Sequence, residues 1–248
     1  MLDNMVRFKL FRYKPGAIDP PRYDVFEIKV DERTTVLDAL EFIRVDHDPG
    51  LMYRHSCHHA SCGTCAYKIN GQERLGCVTN VLELGAGEVV VEPLDGLPRI
   101  VDLVVDMTEF YRDFSPDWTY LRDSEWHPQA ATPAGVAQYV RFENCLECGA
   151  CISACPAAAV GDVHLGPAVL AAINREIDKN GHGKPSLLDL AAGERGIWQC
   201  HSAYECSAVC PSEVDPAGQI MALRRRFITQ KIKRLFGQGG PDEQTNRS

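Results

Sequence analysis

The sequence lacks any run of about 18 apolar residues, the length a membrane-crossing helix needs, so no segment is expected to span a bilayer. It lacks an apolar core behind its first residue. Met1-Leu-Asp-Asn-Met-Val-Arg7 offers no secretory h-region, so a chain without a leader is expected. Without an oxidising compartment, a disulfide framework is excluded. An excess of basic charge is also missing. The net charge of −8, with no DNA-reading element or basic groove, argues against a nucleic-acid partner. Cysteine, by contrast, is abundant: eleven in 248 residues, an odd number that disulfide pairing would not use up.

Two cysteine runs organise the second half. Cys145-Leu-Glu-Cys148-Gly-Ala-Cys151-Ile-Ser-Ala-Cys155-Pro156 follows C-x2-C-x2-C-x3-C-P, the spacing that wraps an iron–sulfur cubane. In proteins with two such clusters, the cysteine before the proline reaches across to the other cluster. A second run is therefore required, and Cys200-His-Ser-Ala203-Tyr-Glu-Cys206-Ser-Ala-Val-Cys210-Pro211 supplies it, with Ala203 where the template has its second cysteine. Cys145, Cys148 and Cys151 with the crossing Cys210 give four thiolates, a 4Fe–4S set. Cys200 and Cys206 with the crossing Cys155 give three, and a corner without a protein ligand suits a 3Fe–4S cluster. Zinc, the main rival for clustered cysteines, prefers two separated C-x2–4-C pairs, which these runs do not present.

The first half carries Cys57-x4-Cys62-x2-Cys65 and, after eleven residues, Cys77: the plant-type 2Fe–2S spacing. Gly63 lets backbone amides approach the cluster sulfides. His58 and His59 lie inside the loop. With four cysteines already in place they read as loop surface or outer shell and not as the two histidines of a Rieske centre. Alternation at Val6, Phe8 and Leu10, and again over Val25–Val30, predicts two half-buried strands, with Pro15-Gly16 and Pro20-Pro21 in the turn between them. Thr35 is expected to cap a helix running through Val45, burying Val36, Leu37, Leu40 and Ile43. Asn70-Gly71 predicts a tight hairpin folding Ala66–Ile69 onto Arg74–Val78, and Glu88–Glu92 a further strand.

Ile100, Leu103, Val104, Met107 and Phe110 have helical spacing, which predicts a helix over Arg99–Phe114 at the boundary between the halves. Residues 115–133, rich in proline, tryptophan and tyrosine, suit an ordered linker draped over a partner. Gly166–Ile177 and Ser186–Ala192 read as short amphipathic helices. From Pro216 onward, Ile220, Leu223, Phe227, Ile228, Ile232, Leu235 and Phe236 form an apolar stripe beside Arg224–Arg226 and Lys231–Arg234, with no acid between Asp215 and Asp242. Such a helix lies either on an anionic membrane surface or against its own domain.

A plant-type 2Fe–2S segment followed by paired 4Fe–4S and 3Fe–4S runs resembles the iron–sulfur subunit of succinate dehydrogenase and fumarate reductase, the respiratory complex II family. All eleven cysteines match, and Asp102-Leu-Val-Val-Asp-Met107 and Gly196-Ile-Trp-Gln-Cys200 also look like family sequence. The resemblance implies an α+β chain. A β-grasp plant-type ferredoxin domain (1–105) would precede an all-α two-cluster ferredoxin-like domain (106–236) and a disordered tail (237–248). It implies electron transfer between a flavoprotein subunit carrying FAD and membrane-anchor subunits holding a quinone, with haem b a further candidate there. The subunit would sit peripherally on the cytoplasmic face of the cell membrane. The dicarboxylate chemistry would belong to the flavoprotein, so no catalytic residue is expected in this chain. His201 matches a family position near the quinone; its other readings are a contact to the cluster or to a haem propionate. Trp198 reads as packing around the cluster. The chain departs from many succinate dehydrogenases after Pro156, where Ala157-Ala-Ala-Val160 replaces an aromatic run whose tryptophan meets the quinone; here it looks closer to fumarate reductases. This departure leaves room for a wiring subunit of a soluble, thiol-linked fumarate reductase. A cluster-based redox regulator is the reading from a different class.

Overall fold

The computed structural model describes residues 4–85, 87–114, 145–160, 164–179 and 185–236. The linker expected over 115–133 and the tail over 237–248 lie outside them.

The first half is a five-stranded mixed sheet. Strands β1 (Asn4–Lys14) and β2 (Ile18–Val30) pair antiparallel, and β5 (Glu88–Glu92) joins β1 in parallel. The hairpin β3 (Ala66–Ile69) and β4 (Gln72–Leu75) completes the order β2-β1-β5-β3-β4. Val6, Phe8 and Leu10 point inward as their alternation requires. Asn70 and Gly71 both take positive φ (49° and 80°), the backbone of a type I′ turn, and place Ile69 opposite Gln72. Pro20 and Pro21 were expected in the β1–β2 turn but lie within β2. That strand is at the sheet edge, where a residue without an N–H is tolerated.

Helix α1 (Val36–Phe42) begins with a capping box. The Thr35 hydroxyl accepts from the Asp38 N–H at 3.2 Å, and the Asp38 carboxylate accepts from the Thr35 N–H at 2.9 Å. A π-turn over Ile43–His47 extends it. Val36, Leu37, Leu40 and Ile43 are buried against the sheet, as their spacing predicts.

The helix expected over Arg99–Phe114 does not form. Residues Arg99–Val101 (β6) and Val104–Val105 (β7) make a small hairpin, and only Thr108–Arg112 (α2) is helical. The turn is held by Asp102 at φ 40°. Its carboxylate accepts from the Arg12 Nε at 3.2 Å and from the main-chain N–H groups of Tyr13 and Met52 at 3.0 Å each, while its own N–H donates to the Tyr13 carbonyl at 2.7 Å. Four long-range hydrogen bonds outweigh a helical periodicity whose Ile100 is in fact exposed.

The second half is helical among the described residues: α3 (Ala150–Ser153), α4 (Pro156–Val160), α5 (Pro167–Lys179), α6 (Pro185–Ala191), α7 (Glu205–Ala208) and α8 (Pro216–Leu235). Its core joins Val169, Leu170 and Ile173 of α5 to Ile220 and Leu223 of α8 and to Ile197. Asp215 caps α8 by accepting from the Gly218 N–H at 3.2 Å, with Pro216 at the first helical position. The apolar stripe of α8 is buried only as far as Leu223. Beyond it Ile228 and Ile232 are half exposed, and Leu235 and Phe236 are about as exposed as polar surface residues.

Candidate metal centres

Cys57, Cys62 and Cys65 share a loop that reverses through left-handed residues at His58, Ala60 and Gly63 (φ 62°, 57° and 68°). These reversals aim main-chain N–H groups at sulfur. Those of Ser61, Cys62 and His59 lie 3.3, 3.4 and 3.5 Å from the Cys57 Sγ, and that of Ala60 lies 3.3 Å from the Cys77 Sγ. The Thr64 hydroxyl donates to the Cys62 Sγ at 3.1 Å. Cys77 arrives on the 3-10 turn Gly76–Val78 behind β4, where the Gly76 N–H donates to the Cys65 carbonyl at 2.8 Å. The His59 N–H above all, with those of Ser61 and Cys62, draws the Cys57 thiol down to about 7, whereas burial pushes the Cys65 thiol up to about 12. Thiolates in such a buried group need cationic iron beside them, and the N–H donors supply the rest of the charge compensation.

The two runs of the second half share one backbone signature. Positive φ falls on the third and fifth residues of each: Glu147 (50°) and Gly149 (85°) in the first, Ser202 (58°) and Tyr204 (63°) in the second. A four-residue helix follows each, α3 and α7. Ala203 therefore occupies the place of Cys148 in a loop that has kept its shape, and it is exposed. Cys145, Cys148, Cys151 and Cys210 line one cavity. Burial first, then the negative charge of Cys145 and Cys210, raises the Cys148 thiol to about 11. Burial likewise raises Cys151 well above the usual thiol range, with Cys148, Cys145, Cys206 and Cys210 as its charged neighbours. Cys206 is raised to about 11 by burial and then by Cys155 and Cys200. The chain thus brings Cys210 to the first run and Cys155 to the second. Outer donors are again main-chain: Ser202 to the Cys200 Sγ and Val214 to the Cys210 Sγ, each at 3.4 Å.

The three groups touch in series. A Cβ on Gly63 would come within 2.7 Å of both the Cys148 Cβ and the Leu146 carbonyl oxygen, so the first loop lies directly on the second. Ser153, inside the first run, donates to the Glu73 carboxylate at 2.7 Å and accepts from the Asp95 N–H at 2.8 Å, tying α3 to β4 and to the chain after β5. Nothing in cysteine spacing signals Ser153 or the Gly63 contact. Cys151, with Cys206 among its charged neighbours, marks the meeting of the second and third groups.

His201 is exposed beside Cys200, and its charge is felt by the half-buried His164. Trp198 is half exposed and packs edge-on against Phe227 at 5.9 Å. Arg224 lies 5.7 Å from the Trp198 ring centre and donates to the carbonyls of Ile197 and Cys200 at 2.7 and 2.6 Å. Arg226 pairs with Asp178. These two arginines, grouped above with a membrane-facing stripe, are therefore engaged inside the domain. Arg225, Lys231, Lys233 and Arg234 remain exposed. No helix among the described residues is long and apolar enough to cross a membrane.

Residues 7–112 match the 2Fe-2S iron-sulfur cluster binding domain family, and residues 141–214 match the 4Fe-4S dicluster domain family. The fumarate reductase iron-sulfur subunit of Mycobacterium tuberculosis is 34% identical, over 97% of this chain and 100% of its own length. The succinate dehydrogenase iron-sulfur subunit of Paracoccus denitrificans is 31% identical, over 92% of this chain and 90% of its own. A chain of the Mycobacterium smegmatis Sdh1 complex in the apo form superposes with a TM-score of 0.78 at 22% identity, covering 92% of this chain and 97% of that one.

Proposed function

The chain belongs to the family of fumarate reductase and succinate dehydrogenase iron–sulfur subunits, and from that premise we propose that it carries electrons between a flavoprotein subunit holding FAD and anchor subunits holding a membrane quinone. The observation that carries this reading is the serial contact of the three cysteine groups, above all Gly63 seated on Cys148. Iron–sulfur clusters, when bound, each accept and release one electron, so a row of them separates two-electron chemistry at its two ends.

The residues divide the work as follows. Cys57, Cys62, Cys65 and Cys77 hold the 2Fe–2S cluster; Cys145, Cys148, Cys151 and Cys210 hold the 4Fe–4S cluster; Cys155, Cys200 and Cys206 hold the 3Fe–4S cluster. The N–H donors of Ala60, Ser61, Cys62, Ser202 and Val214 offset negative charge on sulfur, which favours the reduced state, while burial of Cys65, Cys151 and Cys206 opposes added charge. Exposed Ala203 places the corner without a thiolate at the outer surface, where a quinone-bearing partner would meet it. His201, beside Cys200, is the candidate contact to that quinone or to a haem b. Residues 1–105 then form a β-grasp plant-type ferredoxin domain. Residues 106–236 form a two-cluster ferredoxin-like domain, with α2 packing across the junction, and 237–248 a tail. The exposed end of α8 suits a peripheral place on the cytoplasmic face of the membrane. The soluble, thiol-linked alternative is not favoured, since the fumarate reductase and succinate dehydrogenase relatives match from end to end.

Serine substitutions test the ligand sets. Cys210→Ser and Cys148→Ser should perturb the same paramagnetic centre, and Cys155→Ser and Cys206→Ser a second one, in the anaerobically purified complex with about nine irons per chain. A Cys210→Ser variant that disturbs the centre of Cys200 and Cys206 instead would overturn the crossing.

A further inference from the structure

Glu41, near the end of α1, converges with His55 and His58, which flank Cys57, and none of the three has a part in electron transfer. The His55 Nδ1 lies 3.2 Å from the His58 Nε2 and 3.7 Å from the Glu41 Oε1, and the last two atoms are 3.6 Å apart. Hydrogen bonds cannot satisfy this near-equilateral triangle. The carboxylate only accepts. A proton on one ring nitrogen leaves the other facing Glu41 lone pair to lone pair, and protons on both set two N–H groups against each other. A cation at the centre satisfies all three donors together. The point equidistant from the three atoms lies about 2.0 Å from each, the Zn–N and Zn–O bond length. Two imidazoles and a carboxylate are also a recurring three-ligand set for zinc, with a fourth position for water. The three side chains are about a third exposed, which leaves an entry path. The rings are edge-on to each other (88°), so neither blocks the other's lone pair.

We propose that Glu41, His55 and His58 form a zinc-type divalent-cation site that clamps the Cys57 loop to α1. A cation there adds positive charge next to Cys57. If Cys57 holds the first cluster, as proposed above, cation binding raises that cluster's reduction potential; the binding itself does not depend on that assignment.

The test is Zn2+ titration of the cluster-loaded full chain in competition with a chromophoric chelator, with zinc-edge X-ray absorption on the one-equivalent sample. One zinc should bind, with nitrogen and oxygen neighbours at about 2.0–2.1 Å. Glu41→Gln and His55→Asn should each weaken binding by about 100-fold or more, since even outer partners of zinc ligands are worth about 10–100-fold. Glu41→Gln lies on the helix, away from the cysteine loop, so it separates lost binding from a loop that fails to load. Absence of binding, equal binding in both variants, or sulfur neighbours at about 2.3 Å from zinc lodged among the cysteines would overturn the site. Zinc that raises the first centre's potential in wild type but not in Glu41→Gln supports both readings. Zinc that binds as expected and leaves the potential unmoved upholds the cation site and counts against Cys57 as that centre's ligand.

Discussion

Asp102 is the residue whose loss should be felt furthest from its own position. Its side chain is fully buried and Arg12 is 2% exposed, so the pair lies out of water. Arg12 also meets Asp24 at 2.9 Å and Asp48, both partly exposed. Asp102→Asn keeps the shape of the side chain but removes the charge. One of its two polar atoms becomes a donor, and whichever way the amide turns, that atom faces an N–H: either that of Met52, or those of Tyr13 and Arg12. Breaking a buried ion pair from one side costs about 3–5 kcal/mol. Arg12 retains two other carboxylates, which places the expected loss near the lower end, about 3 kcal/mol. At a urea dependence of about 2 kcal/mol per molar, the midpoint should fall by about 1.5 M. Asp24→Asn is the control. Its side chain is 25% exposed and Arg12 keeps Asp48 and Asp102, so it should cost under about 1 kcal/mol. The assay is urea unfolding of the anaerobic, cluster-loaded full chain, followed by visible circular dichroism of the first centre, because the Met52 N–H lies on the strand of chain that leads to Cys57. A wild-type midpoint for Asp102→Asn, or equal shifts for the two variants, would refute the reasoning.

Two further outcomes follow from the geometry. Ala203→Cys supplies a thiolate on a loop already shaped like that of Cys148, so the third centre should become a 4Fe–4S cluster of lower potential. In a redox titration followed by EPR its 3Fe signal should vanish, and electron delivery to quinone should slow while transfer from the flavin to a dye continues; a persisting 3Fe signal at the wild-type potential would sink the ligand count. Lys233→Glu with Arg234→Glu should weaken membrane attachment of the complex by several-fold at low salt, each basic residue near an anionic surface contributing about 1 kcal/mol, without change in iron content. Partition that ignores both the substitutions and the salt would favour a purely protein-bound α8.

What the sequence determined by itself is whatever depends on short reach along the chain. Cys57-x4-Cys62-x2-Cys65 and the two C-x2-x-x2-C-x3-C-P frames name their centres because a loop of that length can place its sulfurs in only a few ways. Asn70-Gly71 and the Thr35–Asp38 box are equally local, each satisfied within four residues. The likeness of the two runs extended this to the missing cysteine, since Ser202 and Tyr204 repeat the backbone of Glu147 and Gly149 around Ala203. Tertiary structure decided what required distant partners. The helical spacing of Arg99–Phe114 gave way to a hairpin because Asp102 is bound by Arg12, Tyr13 and Met52, none of them within its own segment. Arg224 and Arg226 read as membrane-facing charge, yet the carbonyls of Ile197 and Cys200 and the carboxylate of Asp178 hold them. Gly63 against Cys148, Ser153 against Glu73, and Glu41 between His55 and His58 leave no trace in spacing at all. Periodicity and motif report which groups a segment can bring to one face; which face it meets is set by burial and by the pairing of charges and N–H groups across the fold.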